Sequence, residues 1–159
     1  MRNVLTMLTL TKKTDYALIA MAYLAERPGQ FCSARQISRE YSLPLPVLMN
    51  ILKTLNHHKL VVSTRGSKGG YRMAGEPGQI SLARLIDAVE GPVRFVQCVD
   101  RAEEDCCVSG GCPIRGPVLK LHAKLNEFLE AATLAELVGR AGPPAEAAPV
   151  TDAQPEDES

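Results

Sequence analysis

A mainly α fold with a small β-hairpin wing is predicted by three features in succession. Three short amphipathic helical patterns lie between Thr14 and His57, two β-type segments then flank a Gly-rich basic loop, and a later helix repeats its apolar residues at intervals of three and four. Helix-helix-helix-hairpin is the layout of a winged helix-turn-helix, and the later helix is read as a long C-terminal dimerisation helix.

The first helical pattern begins at Thr14, places Tyr16, Ile19, Ala20, Tyr23 and Leu24 on one face, and ends at Pro28-Gly29. Ser33-Ala-Arg-Gln36 is a capping box that opens a second helix running through Ile37 to Tyr41. Ser42 and Pro44 to Pro46 start the third, whose Leu48, Ile51, Leu52 and Leu55 form the stripe that docks a helix on a core; Val47, Asn50, Lys53, Thr54 and His57 take the opposite face. Val61 to Thr64 and Tyr71 to Met73 are the strands, joined by Arg65-Gly-Ser-Lys-Gly-Gly70. Ser81 caps a helix over Leu82 to Glu90 that stops at Gly91-Pro92. Gly116-Pro117 opens a longer helix carrying Val118, Leu121, Leu125, Phe128 and Ala132, and Thr133-Leu-Ala-Glu136 is a further capping box for a terminal helix to about Arg140. From Ala141 the chain is Pro, Ala and acid, a composition that predicts disorder.

Three units follow: residues 7–80 as the winged unit, 81–140 as the cysteine loop with dimerisation helices, and 141–159 as an acidic tail. Over 159 residues, 45% are hydrophobic but only 4% aromatic, and Trp is absent, so a single core is modest and self-association is favoured. The most apolar segment, Ala17 to Ala25, is too short for a membrane span and stops at Glu26, which reads as a buried helix of a cytoplasmic protein.

A zero net charge conceals a gradient. Residues 1–80 carry eleven Lys and Arg against four Asp and Glu, whereas residues 81–159 carry seven against fourteen. A basic half suits a polyanion, and with the helix order it points to double-stranded DNA. The third helix would enter the major groove with Val47, Asn50, Lys53, Thr54 and His57. Ser33 and Arg35 would flank it from the second helix, and Arg65, Ser67, Lys68 and Arg72 would meet backbone or minor groove from the wing. GSKGG is not a phosphate-binding P-loop, because the Lys-Ser/Thr ending and strand-to-helix context are missing. Cys32 stands alone and reads as a small half-buried hydrophobe. The seam Val118, Leu121, Leu125, Phe128, Ala132 has no partner within its own chain, which predicts a homodimer whose two reading helices span half-sites roughly 34–36 Å apart.

Four of the five cysteines, Cys98, Cys106, Cys107 and Cys112, crowd between two helical patterns. No zinc-knuckle pair is present; Cys107 and Cys112, with four residues between, come nearest. Soft thiolates on a loop containing Ser109-Gly110-Gly111 suit an iron-sulfur cluster, with structural zinc and a thiol-disulfide switch as the alternatives. A thiol oxidoreductase is disfavoured, since there is no CxxC pair and Asp100, Glu103, Glu104 and Asp105 would raise nearby thiol pKa values.

Leu10-Thr-Lys-Lys-Thr-Asp15-Tyr-Ala, the Ser33-to-Ser38 helix, Arg65-Gly-Ser-Lys-Gly-Gly-Tyr71, the Ser81-to-Gly91 helix and the Cys-x5-Cys loop together resemble the family of winged-helix regulators that includes IscR and NsrR, from about Met7 to Arg140. Residues before Met7 read as an extension or a misplaced start. The resemblance implies a dimeric transcriptional regulator, not an enzyme, holding a 2Fe-2S or 4Fe-4S cluster through three loop cysteines and one further residue. By position the three are Cys98, Cys106 and Cys112, with Cys107 as the rival. Some members use a His three residues after the last cysteine; here that residue is Arg115, which counts against an IscR-like ligand set. Asp15 occupies the place of the NsrR-like Asp ligand, although it could equally be an acidic first-turn residue after a Thr14 cap. His122, ten residues past Cys112, is a further rival.

Overall fold

In the computed structural model, residues 11–94 and 112–139 are described; Cys98, Cys106, Cys107 and the acidic tail lie outside them. Helix α1 (Lys12–Ala25) begins two residues before the expected Thr14. Its N-cap is Thr11, whose hydroxyl accepts from Lys13 N at 3.2 Å, while Thr14 lies inside the first turn and is fully buried. The buried residues of α1 are Thr14, Ala17, Ala20, Met21, Tyr23 and Leu24, whereas Tyr16 and Ile19 are only partly buried. Neighbours on several sides explain the difference. The helix packs on α3, α4, α6 and β2, so small residues face close neighbours and no single stripe describes it.

Helix α2 (Ala34–Glu40) carries the predicted capping box: Ser33 Oγ accepts from Gln36 N, and Gln36 Oε1 accepts from Ser33 N. The turn to α3 is closed by Ser38, whose hydroxyl donates to Leu43 O at 2.7 Å and whose carbonyl accepts from Leu43 N at 2.9 Å. Helix α3 (Leu45–His57) starts at Pro44 with Pro46 in its first turn, where a missing N–H costs nothing, and it buries Leu48, Ile51, Leu52 and Leu55 as its stripe requires.

Strands β1 (Val61–Thr64) and β2 (Gly70–Met73) form the antiparallel wing, with Val61 opposite Met73 and Thr64 opposite Gly70. The segment before α2 adds a third rung: Cys32 and Tyr71 exchange both backbone hydrogen bonds at 2.8 Å. A side chain at position 70 would collide with the Cys32 carbonyl, so glycine there is a requirement of close approach. Cys32 itself is 4% exposed, more deeply buried than expected, because the wing lies over it.

After a 3-10 turn (Pro77–Gln79), helix α4 (Leu82–Glu90) is capped by Ser81 and ends at Gly91 with φ 89°. Helix α5 (Arg115–Ala131) follows the cysteine loop, and α6 (Leu134–Gly139) returns the chain to the core, where Leu134 is 1% exposed. Leu82 N donates to Ala132 O and Leu134 N donates to Ile80 O, a two-bond stitch between the chain entering α4 and the end of α5. One core therefore contains residues from α1 to α4 and from α6: Leu85, Ala88 and Leu134 lie in the same cluster as Leu48 and Leu52, across the expected break at residue 80. Ala132, expected as the fifth seam position, caps α5 in extended conformation instead.

Candidate nucleic-acid interface and cysteine loop

On α3 the face opposite the core is open: Val47, Asn50, Lys53 and His57 are exposed and Thr54 is half-buried. The Thr54 hydroxyl donates to Asn50 O at 3.0 Å, which leaves its oxygen free to accept. Of the two residues expected from α2, Arg35 is exposed, while Ser33 is half-buried and engaged as the cap. On the wing, Arg65, Ser67 and Lys68 are exposed in the loop and Arg72 is exposed on β2, its guanidinium 5.1 Å from the centre of the Phe31 ring. The expected cations are thus exposed on α2, on the outer face of α3 and on the hairpin.

A shallow groove of about 220 Å³ runs between α3 and the ends of two other helices, lined by Lys13, Val47, Asn50, Ile51, Thr54 and Val89. Just beyond it, Glu90 Oε1 accepts from Thr11 N (3.1 Å), Thr11 Oγ1 (2.7 Å) and Thr14 Oγ1. Burial alone would raise the Glu90 carboxyl, but these hydrogen bonds and nearby Lys13 outweigh it and hold the group below its ordinary value. Neither Glu90 nor Lys13 was expected at the site. The sequence signal was an N-cap Thr11 whose third helical residue, Thr14, lacks the carboxylate or amide that completes a capping box.

Of the candidate ligands, Asp15 is exposed in the first turn of α1, and Cys112 is a free, half-buried thiol whose carbonyl accepts from Arg115 N at 3.4 Å as α5 begins. Among the described residues no three His, Cys, Asp or Glu side chains come together; Cys98, Cys106 and Cys107 are outside that set. His122 sits seven residues into α5, about 10 Å along the axis from its start, which separates it from Cys112. Its Nε2 is 3.0 Å from Asn126 Nδ2 and its Nδ1 is buried with no hydrogen-bond partner among the described residues. Burial pushes the Cys32 thiol up, with Arg27 opposing, so it is poorly nucleophilic.

The seam residues of α5 stay open. Phe128 is 66% and Leu121 49% exposed, Val118 and Leu125 are half-buried, and no residue of the helix is buried.

The family model for Rrf2, an iron-dependent transcriptional regulator, matches residues 10–140, from the N-terminal edge of α1 through the cysteine loop to the end of α6. The chain belongs to the Rrf2 family. It is 30% identical to the HTH-type transcriptional regulator NsrR of Bacillus subtilis over 130 residues, 81% of this chain and 89% of that one. With IscR of Sodalis glossinidius the identity is 33% over 130 residues, 81% of this chain and 78% of the other. Among solved structures, CymR, the global cysteine regulator of B. subtilis, superposes with TM-score 0.67 at 26% identity, covering 86% of this chain and all of that one. T. potens IscR superposes with TM-score 0.63 at 27% identity, covering 84% and 88%. The Rrf2 assignment makes the chain a transcriptional regulator and fixes the winged-helix reading of its helices and hairpin. No described helix is long and apolar enough to cross a membrane.

Proposed function

We propose that this Rrf2 protein is a homodimeric regulator that reads double-stranded DNA with α3 and the wing, and whose operator affinity follows an iron-sulfur cluster held by Cys98, Cys106 and Cys112 with Asp15, Cys107 being the alternate ligand. The observation that carries this reading is the placement of a four-cysteine loop between α4 and α5 in a chain whose whole length from residue 10 to 140 matches an iron-dependent family. The donor chemistry fits: three or four soft thiolates plus one carboxylate suit iron-sulfur ligation, and the described members, Cys112 and Asp15, are both accessible to a ligand. Bound there, the cluster supplies a cross-link that responds to oxidants, nitric oxide or iron supply.

The chain's own residues provide the lever. The stitch between Leu82, Ala132, Leu134 and Ile80 fixes the C-terminal end of α5 to the DNA-binding unit. Cys112 precedes the opposite end of that helix, and Glu90 is the last helical residue before the loop. A cluster held by the loop cysteines would therefore act at the N-terminal end of α5, whose open face (Val118, Leu121, Leu125, Phe128) packs on its copy in a dimer and sets the separation of the two reading helices. A coupling of about 1–3 kcal/mol, or roughly 5- to 150-fold in operator affinity, suffices for regulation.

Anaerobic isolation tests the ligand set. The expected result is a coloured protein with equimolar iron and acid-labile sulfide, in which Cys106→Ala abolishes the visible absorbance while the protein stays dimeric. Persistence of the chromophore in Cys106→Ala reassigns that ligand to Cys107. Zinc without sulfide, or neither, gives the alternative in which the loop is structural or a thiol-disulfide switch.

A further inference from the structure

Helix α1 lacks the acidic or amide side chain that normally completes a capping box. Its N-cap Thr11 accepts from Lys13 N, but the residue that should return a hydrogen bond to the Thr11 N–H is Thr14, which has no acceptor long enough to reach it. The acceptor comes from another helix. Glu90, the last residue of α4, takes the Thr11 N–H, the Thr11 hydroxyl and the hydroxyl of fully buried Thr14 on one carboxylate oxygen. The cap of α1 is thus split between two helices nearly eighty residues apart in sequence.

What this cap places is Lys13. Lys13 lines the groove shared with Val47, Asn50 and Thr54 of α3, which puts this residue at the edge of the reading face. A cation there lies beside whatever α3 inserts into, and phosphates border a major groove on both sides. We propose that Lys13 is a further DNA-backbone contact and that Glu90 is its positioning residue, holding the first turn of α1 wound so that Lys13 stays beside α3. The inference rests on α3 being the reading helix.

Two signs of effect separate this role from simple electrostatics. If Glu90 acted on DNA only as a negative charge, its removal would tighten binding; as a positioning residue, its removal weakens binding, because the first turn frays and Lys13 is lost from the groove. The test is operator binding by the full-length dimer across a salt series, with melting temperature recorded for each variant. Lys13→Gln is expected to reduce the slope of log affinity against log salt by about 1.8, one phosphate contact per protomer at about 0.9 each. Glu90→Ala is expected to lower both affinity and slope in the same direction, and adding Lys13→Gln to it should change the slope by less than half as much as in the wild type. Thr14→Val keeps every charge and the side-chain volume, and should repeat the Glu90→Ala effect in weaker form even where Glu90→Ala fails to fold. An unchanged slope in Lys13→Gln overturns the contact. Tighter binding in Glu90→Ala, or a lowered melting temperature in Thr14→Val with affinity and slope intact, overturns the positioning role. A wild-type protein that binds no DNA, or an Asn50→Ala variant that binds as wild type, counts instead against α3 as the reader and overturns this inference with it.

Discussion

Helices α3 and α5 both carry an apolar stripe at helical spacing, yet they end in opposite environments. Leu48, Ile51, Leu52 and Leu55 of α3 are at most 4% exposed, packed against α1, α2 and α4, whereas α5 buries none of its residues and leaves Phe128 and Leu121 open. The lesson is that a stripe reports a partner without saying whose. For α3 the partner is the chain's own core, which leaves exposed the polar face proposed to read DNA; for α5 the proposed partner is a second copy.

Deleting core volume should have the largest effect. Leu52→Ala is expected to cost about 2–5 kcal/mol in denaturant unfolding, since a fully buried side chain leaves a cavity; a loss under about 0.5 kcal/mol would break the contrast from the α3 side. On α5, Phe128→Glu is expected to leave the stability of the winged unit within about 0.5 kcal/mol while converting the protein to monomer in sedimentation. Losing the second reading helix should then weaken operator binding by about 100-fold or more. A variant that remains dimeric would remove α5 as the seam. Asn50→Ala on the exposed face of α3 should weaken operator binding by about 1–3 kcal/mol with no measurable change in melting, the reverse of Leu52→Ala.

The smallest effect concerns pH. The folded state holds the Glu90 carboxyl below its ordinary value of 4.5, so it favours the charged form. Its contribution is complete above that value and is lost as pH falls through the lowered folded value. The melting-temperature gap between wild type and Glu90→Gln should accordingly be constant near neutrality and shrink in acid below about 4.5; a gap that widens in acid would contradict the hydrogen-bond arrangement.

Elements whose determinants are local were legible in the sequence. Ser33 and Gln36 specify a helix start by their own hydrogen bonds, Ser81 does the same for α4, and Gly66 to Gly70 mark the wing turn. Elements decided by tertiary neighbours were not. Helical spacing put Tyr16 and Ile19 on the apolar face, but packing on several sides buries Ala17 and Met21 instead. The cap of α1 was assigned to Thr14 because its carboxylate partner lies in another helix. Leu134 entering the core, and Ala132 leaving the seam to accept from Leu82, depend on a chain reversal that no short window contains. The exposure of the polar face of α3 followed from periodicity, whereas Lys13 and Glu90 come to its edge only through the packing of α1 and α4 beside α3.

The most direct measurement is operator affinity of one preparation with its cluster intact and after its removal under anaerobic conditions, at fixed salt and with dimer confirmed in both. A change of roughly 5- to 150-fold, abolished in Cys106→Ala, is the result the account predicts. Equal affinities for the two forms would contradict it and leave a winged-helix dimer whose cysteine loop has no bearing on DNA.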